Sequence, residues 1–201
     1  MTAKGLRTTA GSGAAFAVAA DIGSEQGNID LIEAARAKFG FIDLFFANAG
    51  VAMGTDLTST SEAEWQTIMN INLHAHRWAA KHLVGDWLAA GEGYFCSTAS
   101  AAGLLSQIGS ATYSVSKHAA VAFAEWLSIT YGDRGVRVSC LCPQGVNTNM
   151  LNPPDRPKDP SGAIARTGGD VVKNNGVDNL YYACKLTHTG DGAAGNRPDA
   201  D

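Results

Sequence analysis

The sequence predicts an α/β fold of three layers, a parallel sheet with helices on both faces. Three observations carry that expectation. Short apolar runs alternate with long helical patterns through the first three quarters of the chain. Two of those runs are almost continuously apolar, as strands buried on both faces are. Strand–helix–strand repeats of this kind close most simply as parallel crossovers, with ligands beyond the C-terminal strand ends.

The first run, FAVAAD (16–21), is read as a strand ending at Asp21. Leu31, Ile32, Ala35 and Phe39 follow at helical spacing, and Gly40 ends that helix. IDLFFANAG (42–50) is the second strand with a glycine exit. A long helix opens at SEAE (61–64), where Ser61 and Glu64 match a capping box, and stops at Gly91. GYFCSTAS (93–100) is the third strand and VRVSCLCP (136–143) the fourth, with a helix over 113–132 between them. NPPDRPKDP (152–160) then holds four of the six prolines, and the remainder has no clear periodicity. The expected organisation is an atypical or disordered 1–15, an α/β domain over 16–151, and a lid-like, poorly ordered 152–201.

At 201 residues the chain accommodates one ordinary domain. Its net charge of −4 leaves no basic footprint for nucleic acid or an anionic membrane. No apolar run reaches spanning length and the N-terminus has no signal-peptide pattern, so a cytoplasmic location is expected. Cys96, Cys140, Cys142 and Cys184 show no CxxC spacing and read as reduced, small apolar side chains. No metal site is expected.

The polar and glycine-rich residues collect at the C-terminal strand ends: Asp21, NAG (48–50), STAS (97–100) and PQGVNT (143–148). In YSVSK (113–117) a tyrosine and a lysine lie four residues apart and share a helix face. A phenol titrates near pH ~10, so it is a poor base at neutral pH. Lowering that value by about three units takes about 4 kcal/mol of differential interaction, which a nearby ammonium and a cationic cofactor ring would supply. The spacing alone does not decide the matter, because YYACK (181–185) repeats it. Only Tyr113 has company. Ser100 lies at the exit of the preceding strand, where its hydroxyl would donate to a substrate oxygen that gains charge.

With Ser100, Tyr113 and Lys117 in place, residues from about 16 to about 151 resemble a short-chain dehydrogenase/reductase. ANAG (47–50) is similar to the family's NNAG, with Ala47 in place of the first Asn. IMNINLHAH (68–76) resembles the segment bearing the family's catalytic asparagine, here Asn72. STASAAGLL (97–105) resembles the serine segment, and VRVSCLCPQGVNT (136–148) the segment with Pro-Gly and Thr, although Gln144 takes the place of that Gly. The resemblance implies a Rossmann-like sheet and oxidoreduction between an alcohol and a ketone or aldehyde with NAD or NADP. It implies Tyr113 as acid/base, Ser100 as oxygen-binding donor, Lys117 as pKa tuner and ribose anchor, and Asn72 as part of a proton relay. It implies cofactor contacts at Asp21, Ile22, Asn48, Ala49, Gly50, Tyr113, Lys117, Pro143, Val146 and Thr148. It also implies a homodimer or homotetramer formed through helices 61–90 and 113–132, a small alcohol or carbonyl substrate, and no nucleic acid or membrane partner.

The pattern departs from the family at both ends. TAGSGAAF (9–16) imitates a glycine-rich phosphate loop, but Phe16 stands where the third glycine should fall and Asp21 follows too soon. The expectation is a truncated copy lacking the first two strands and the last, with an apolar edge exposed beside IDLFF. A second reading follows from it, an inactive fragment that acts only by pairing with a relative. Trp65, Trp78, Trp87 and Trp126 lie on the helices that would mediate this. A third reading is acyl transfer, since SVSK (114–117) fits SxxK and RTG (166–168) faintly resembles KTG, although no SDN is present.

Overall fold

A computed structural model of the chain describes residues 15–53 and 56–144, together with the backbone of 183–184. Helix α1 (Glu25–Phe39) starts at Ser24, whose hydroxyl accepts a hydrogen bond from Gly27 N. It ends at Gly40, where φ of 81° suits a residue without Cβ. Strand β1 (Leu44–Ala47) follows. Helix α2 (Glu62–Met69) has the capping box, with Ser61 Oγ accepting from Glu64 N and the Glu64 carboxylate accepting from Ser61 N.

The long helix expected over 61–90 is not uniform. A π-helical turn, Asn70–His74, separates α2 from α3 (Ala75–Ala90). Such widened turns are concentrated at functional sites. Strand β2 (Gly93–Thr98), helix α4 (Ala111–Tyr131) and strand β3 (Val136–Leu141) complete the main body.

Strands β1, β2 and β3 are adjacent and parallel, with Phe45 beside Phe95 and Phe95 beside Val138. The face bearing Phe95 is the buried one. There His76 of α3 and Phe123 of α4 meet the Phe95 ring edge-on. Trp87, Leu83, Ala120, Ala124 and Leu127 fill the space between these helices and the sheet. Helix α1 docks on α3 through Arg36–Asp86 (2.6 Å) and Lys81–Glu25 (2.7 Å). These pairs are partly exposed and screened by solvent, so they set register more than stability.

Three expectations are corrected. Residues 16–21 form no strand, because a ladder needs a neighbour and none of the described strands pairs with them. Asp21 instead begins a turn, its carbonyl accepting from Ser24 N at 3.2 Å. β1 is not covered on both faces, since Leu44 and Phe46 remain about half exposed. The YYACK stretch also contributes to the sheet. Ala183–Cys184 forms a two-residue strand, β4, antiparallel to β3, pairing with Leu141 and Cys140.

Gly93 sits under the Trp87 indole, whose Nε1 donates to Ile42 O at 2.7 Å. A Cβ at residue 93 would overlap Cγ of that ring. Trp87 is fully buried and cannot swing out without losing its bond. Gly93→Ala is therefore expected to destabilise the fold by about 1–3 kcal/mol, read from urea unfolding. An unchanged midpoint would show that the indole yields freely.

Candidate functional site

Four of the expected residues converge beyond the C-terminal ends of β1–β3. Tyr113 lies in the first turn of α4, half-buried, and Lys117 lies one turn on, almost fully buried. The Lys117 ammonium stands 5.7 Å from the centre of the Tyr113 ring and donates to Thr98 O at 3.1 Å. Ser100, just past β2, caps a single 3-10 turn (Ala101–Gly103), its hydroxyl accepting from Ala102 N at 3.1 Å.

Asn72 occupies the centre of the π-helical turn and is wholly buried. Its Oδ1 accepts from Val51 N (2.9 Å), while Nδ2 donates to Val51 O (2.9 Å) and to Ser116 Oγ (3.0 Å). Ser116 in turn donates to Tyr113 O at 2.9 Å. Gly50 completes the arrangement. A Cβ there would lie 3.2 Å from Lys117 Nζ and 3.4 Å from Asn72 Oδ1.

The electrostatics differ from the sequence expectation. Burial pushes the Tyr113 phenol above its ordinary value, with the Ser100 hydroxyl working the other way. Burial also lowers Lys117 to about 8, opposed by the neighbouring thiols of Cys140 and Cys142. The lysine faces the ring rather than the hydroxyl, so it does not by itself hold a phenolate. Cys140 and Cys142 are reduced thiols fully buried in the core, as small apolar side chains are. Cys140 is drawn below the usual thiol range, first by its hydrogen bond to Cys142 and also by the Lys117 charge.

The residues expected at the cofactor end take these positions. Asn48 Oδ1 accepts from Thr98 Oγ1 at 2.9 Å, tying the exits of β1 and β2 together. Asp21 Oδ1 accepts from Gly23 N at 3.0 Å, and Ile22 O accepts from Asn28 Nδ2 at 2.9 Å. Ile22, Asn48 and Ala49 border a cavity of about 140 Å³ that His76 also lines. Pro143 O accepts from Ala101 N at 2.8 Å, fixing the serine turn against the exit of β3. Val146, Thr148 and most of the TAGSGAAF stretch lie outside the described residues. The SxxK reading does not survive. Ser114 Oγ is bound to both backbone groups of Gln107, accepting from N at 2.9 Å and donating to O at 3.2 Å.

Two features escaped the sequence. Ser116 looked like a small spacer, yet it joins Asn72 to the backbone of Tyr113. His76 looked like one more polar residue in a helix, yet it is buried with both ring nitrogens unpartnered by described groups. Its position on the α3 face that packs against β2 was the available signal.

The family model for short chain dehydrogenases matches residues 2–159. The chain belongs to that family, one of oxidoreductases. It is 30% identical over 171 residues to the (21S)-21-acetoxyl-apo-melianone synthase SDR of Melia azedarach, covering 82% of this chain and 63% of that protein. It is 32% identical over 134 residues to retinol dehydrogenase 10-A of Danio rerio, covering 65% of this chain and 40% of that one. An NAD-dependent oxidoreductase of Mycobacterium tuberculosis, itself uncharacterised, is 34% identical over 117 residues, or 58% and 42% of the two chains. The chain thus spans between 40% and 63% of the length of these three relatives. Among its described residues no helix is long and apolar enough to cross a membrane.

The buried His76 makes the fold acid-sensitive. Burial, and then the Lys117 charge, lower its pKa to about 3 from an ordinary 6.5. The unfolded chain therefore binds the proton more readily, and stability falls as pH drops from 6.5 towards 3. The slope reaches about 1.4 kcal/mol per pH unit for one full proton. His76→Phe is expected to flatten the pH dependence by that proton in denaturant titrations at pH values across this range. A variant with the wild-type slope would place the acid sensitivity elsewhere.

Proposed function

We propose that this short chain dehydrogenase interconverts a secondary alcohol and a ketone, or a primary alcohol and an aldehyde, with NAD or NADP. The observation that supports this most directly is the cluster of Ser100, Tyr113, Lys117 and Asn72 at one sheet edge, cross-tied through Val51 and Ser116. The relatives' names add dehydrogenase and NAD-dependent activity as properties of those proteins.

The described residues suit part of a dinucleotide. Lys117 and Tyr113 would hold the nicotinamide ribose, and Gly50 leaves the lysine room that a Cβ would take. Ile22, Asn48 and Ala49 border a cavity of about 140 Å³ suited to the adenine end. Asp21 stands beside it on an exposed turn. The bound nicotinamide supplies or accepts the hydride. The chain's own residues handle the oxygen and its proton. Ser100 Oγ donates to the substrate oxygen, and the Tyr113 phenol exchanges a proton with it. The Tyr113 phenol carries the proton that carbonyl reduction needs, but burial raises its pKa and weakens it as an acid, so nearby cationic charge would have to favour the phenolate in both directions. Asn72, placed by the π-helical turn near Lys117, would belong to a water-mediated relay that carries the proton outward.

A second reading, assembly through α3 and α4, has its own support. A groove of about 340 Å³ runs between these helices, lined by Val84, Phe123, Trp126 and Tyr131. Trp126 is 52% exposed in it, whereas Trp87 is wholly buried and belongs to the core. Homodimer or homotetramer formation through this groove is compatible with catalysis. Trp126→Glu is expected to lower the mass measured by light scattering to that of a monomer, and an unchanged mass would remove this surface from the assembly.

Tyr113→Phe tests the chemical assignment. Reduction of a panel of ketones with NADH and NADPH should fall by about 10²–10⁴-fold, while nucleotide affinity measured by fluorescence stays within a few-fold. Turnover that survives the substitution would remove Tyr113 as the acid/base.

A further inference from the structure

The loop between Ser100 and Tyr113 has an uncharged, apolar surface. From Gly93 to Ser116 there is no Asp, Glu, Lys or Arg. Within that stretch Leu104 is 40% exposed, Leu105 74% and Ile108 81%. Each leaves apolar area in water, where burial would be worth about 25 cal/mol per Å². The loop is nevertheless held. Leu104 N and Leu105 N both donate to Ala101 O, at 3.0 and 2.9 Å. Gln107 is pinned to Ser114 by the two hydrogen bonds already described. Met53, another exposed apolar residue, is brought to the start of α4 because Thr112 Oγ1 donates to its carbonyl at 3.0 Å.

Exposed apolar residues held in place around polar groups mark a binding surface. The loop runs from Ser100 to Tyr113, the two hydroxyls assigned above to the substrate oxygen, so a molecule held at that oxygen is the occupant the chain connectivity favours. We propose that Leu104, Leu105, Ile108 and Met53 form the binding surface for a neutral, largely hydrocarbon alcohol or ketone, whose single oxygen points to Ser100 and Tyr113. The proposal rests on the oxidoreductase reading for the direction of that oxygen. A substrate with a carboxylate or phosphate on its far end would find no cation on this loop. The nearby Lys117 is almost fully buried and already bonded to Thr98 O, so the anion's lost hydration would go uncompensated.

Calorimetric titration of the full chain with butan-2-one, octan-2-one and 7-oxooctanoate tests this. The last two share a chain length and differ by a terminal carboxylate. Affinity should rise with each added CH₂, by up to about fourfold per group. Octan-2-one should bind at least about tenfold more tightly than 7-oxooctanoate, and Leu105→Asp and Ile108→Asp should each weaken it by about tenfold. These exposed positions should leave the melting temperature unchanged, and Leu105→Met should restore binding. Undetectable octan-2-one binding, equal affinity for the two eight-carbon ketones, or full binding in both Asp variants would overturn the proposal. So would a change of mass in the Asp variants by light scattering, which would assign the patch to a second copy. Octan-2-one that binds as expected but is never reduced with NADH or NADPH would overturn the oxidoreductase reading and leave this surface standing.

Discussion

The side-chain amide of Asn72 joins three parts of the chain that have no backbone connection near the site. Both of its N–H groups donate, one to Val51 O and one to Ser116 Oγ, while its oxygen accepts from Val51 N. An amide in a fully buried position needs such partners, because an unpaired donor or acceptor there costs about 1–3 kcal/mol. Val51 follows the β1 exit and Ser116 lies between Tyr113 and Lys117. The same three bonds thus fix the β1 loop, the π-helical turn and the first turn of α4 at once. The widened turn is what places Asn72 at this junction, so the helix irregularity and the hydrogen-bond network are one feature.

That junction leaves Lys117 with little freedom. Its ammonium is almost fully buried, bonded to the Thr98 carbonyl and lying over the Tyr113 ring, with the Cys140 and Cys142 thiols and Gly50 nearby. Burial accordingly weakens its charge, and burial also raises the phenol. The two shifts point the same way, towards neutral forms of both groups. A pair in this condition is suited to exchange a proton when a further charge arrives, since either neutral form is within reach of the other. The Cys140 thiol adds a third titratable group on the β3 side, coupled by its field to Lys117. None of this was visible in spacing, because spacing places side chains on a face without saying how dry that face is.

Much of the fold was nonetheless legible. Ser61 and Glu64 formed the capping box, and Gly40 and Gly91 ended their helices, because caps depend on a few adjacent residues. Strands were less certain, since a strand exists only with a neighbour. FAVAAD has strand-like composition and no described partner, whereas Ala183–Cys184 has unremarkable composition and pairs with β3. The π-helical turn left no mark in the sequence, as it changes hydrogen-bond register without a special residue type. The candidate site was legible only as a set, because Ser100, Asn72, Tyr113 and Lys117 are each ordinary alone.

Gly50 of NAG is shaped by its neighbours rather than by its own backbone angle. In the sequence, Asn-Ala-Gly after an apolar run is a turn signal, and glycine's freedom at positive φ explains it. Gly50, however, is absent from the described glycines with positive φ. Its backbone conformation is open to other residues. What excludes a side chain is the approach of Lys117 Nζ and Asn72 Oδ1 to the place a Cβ would occupy. At 3.2 Å from a buried ammonium already bonded to Thr98, a methyl group requires the lysine or the loop to give by a few tenths of an ångström. At Gly50 the β1 exit leaves volume to the Lys117 ammonium and the Asn72 amide.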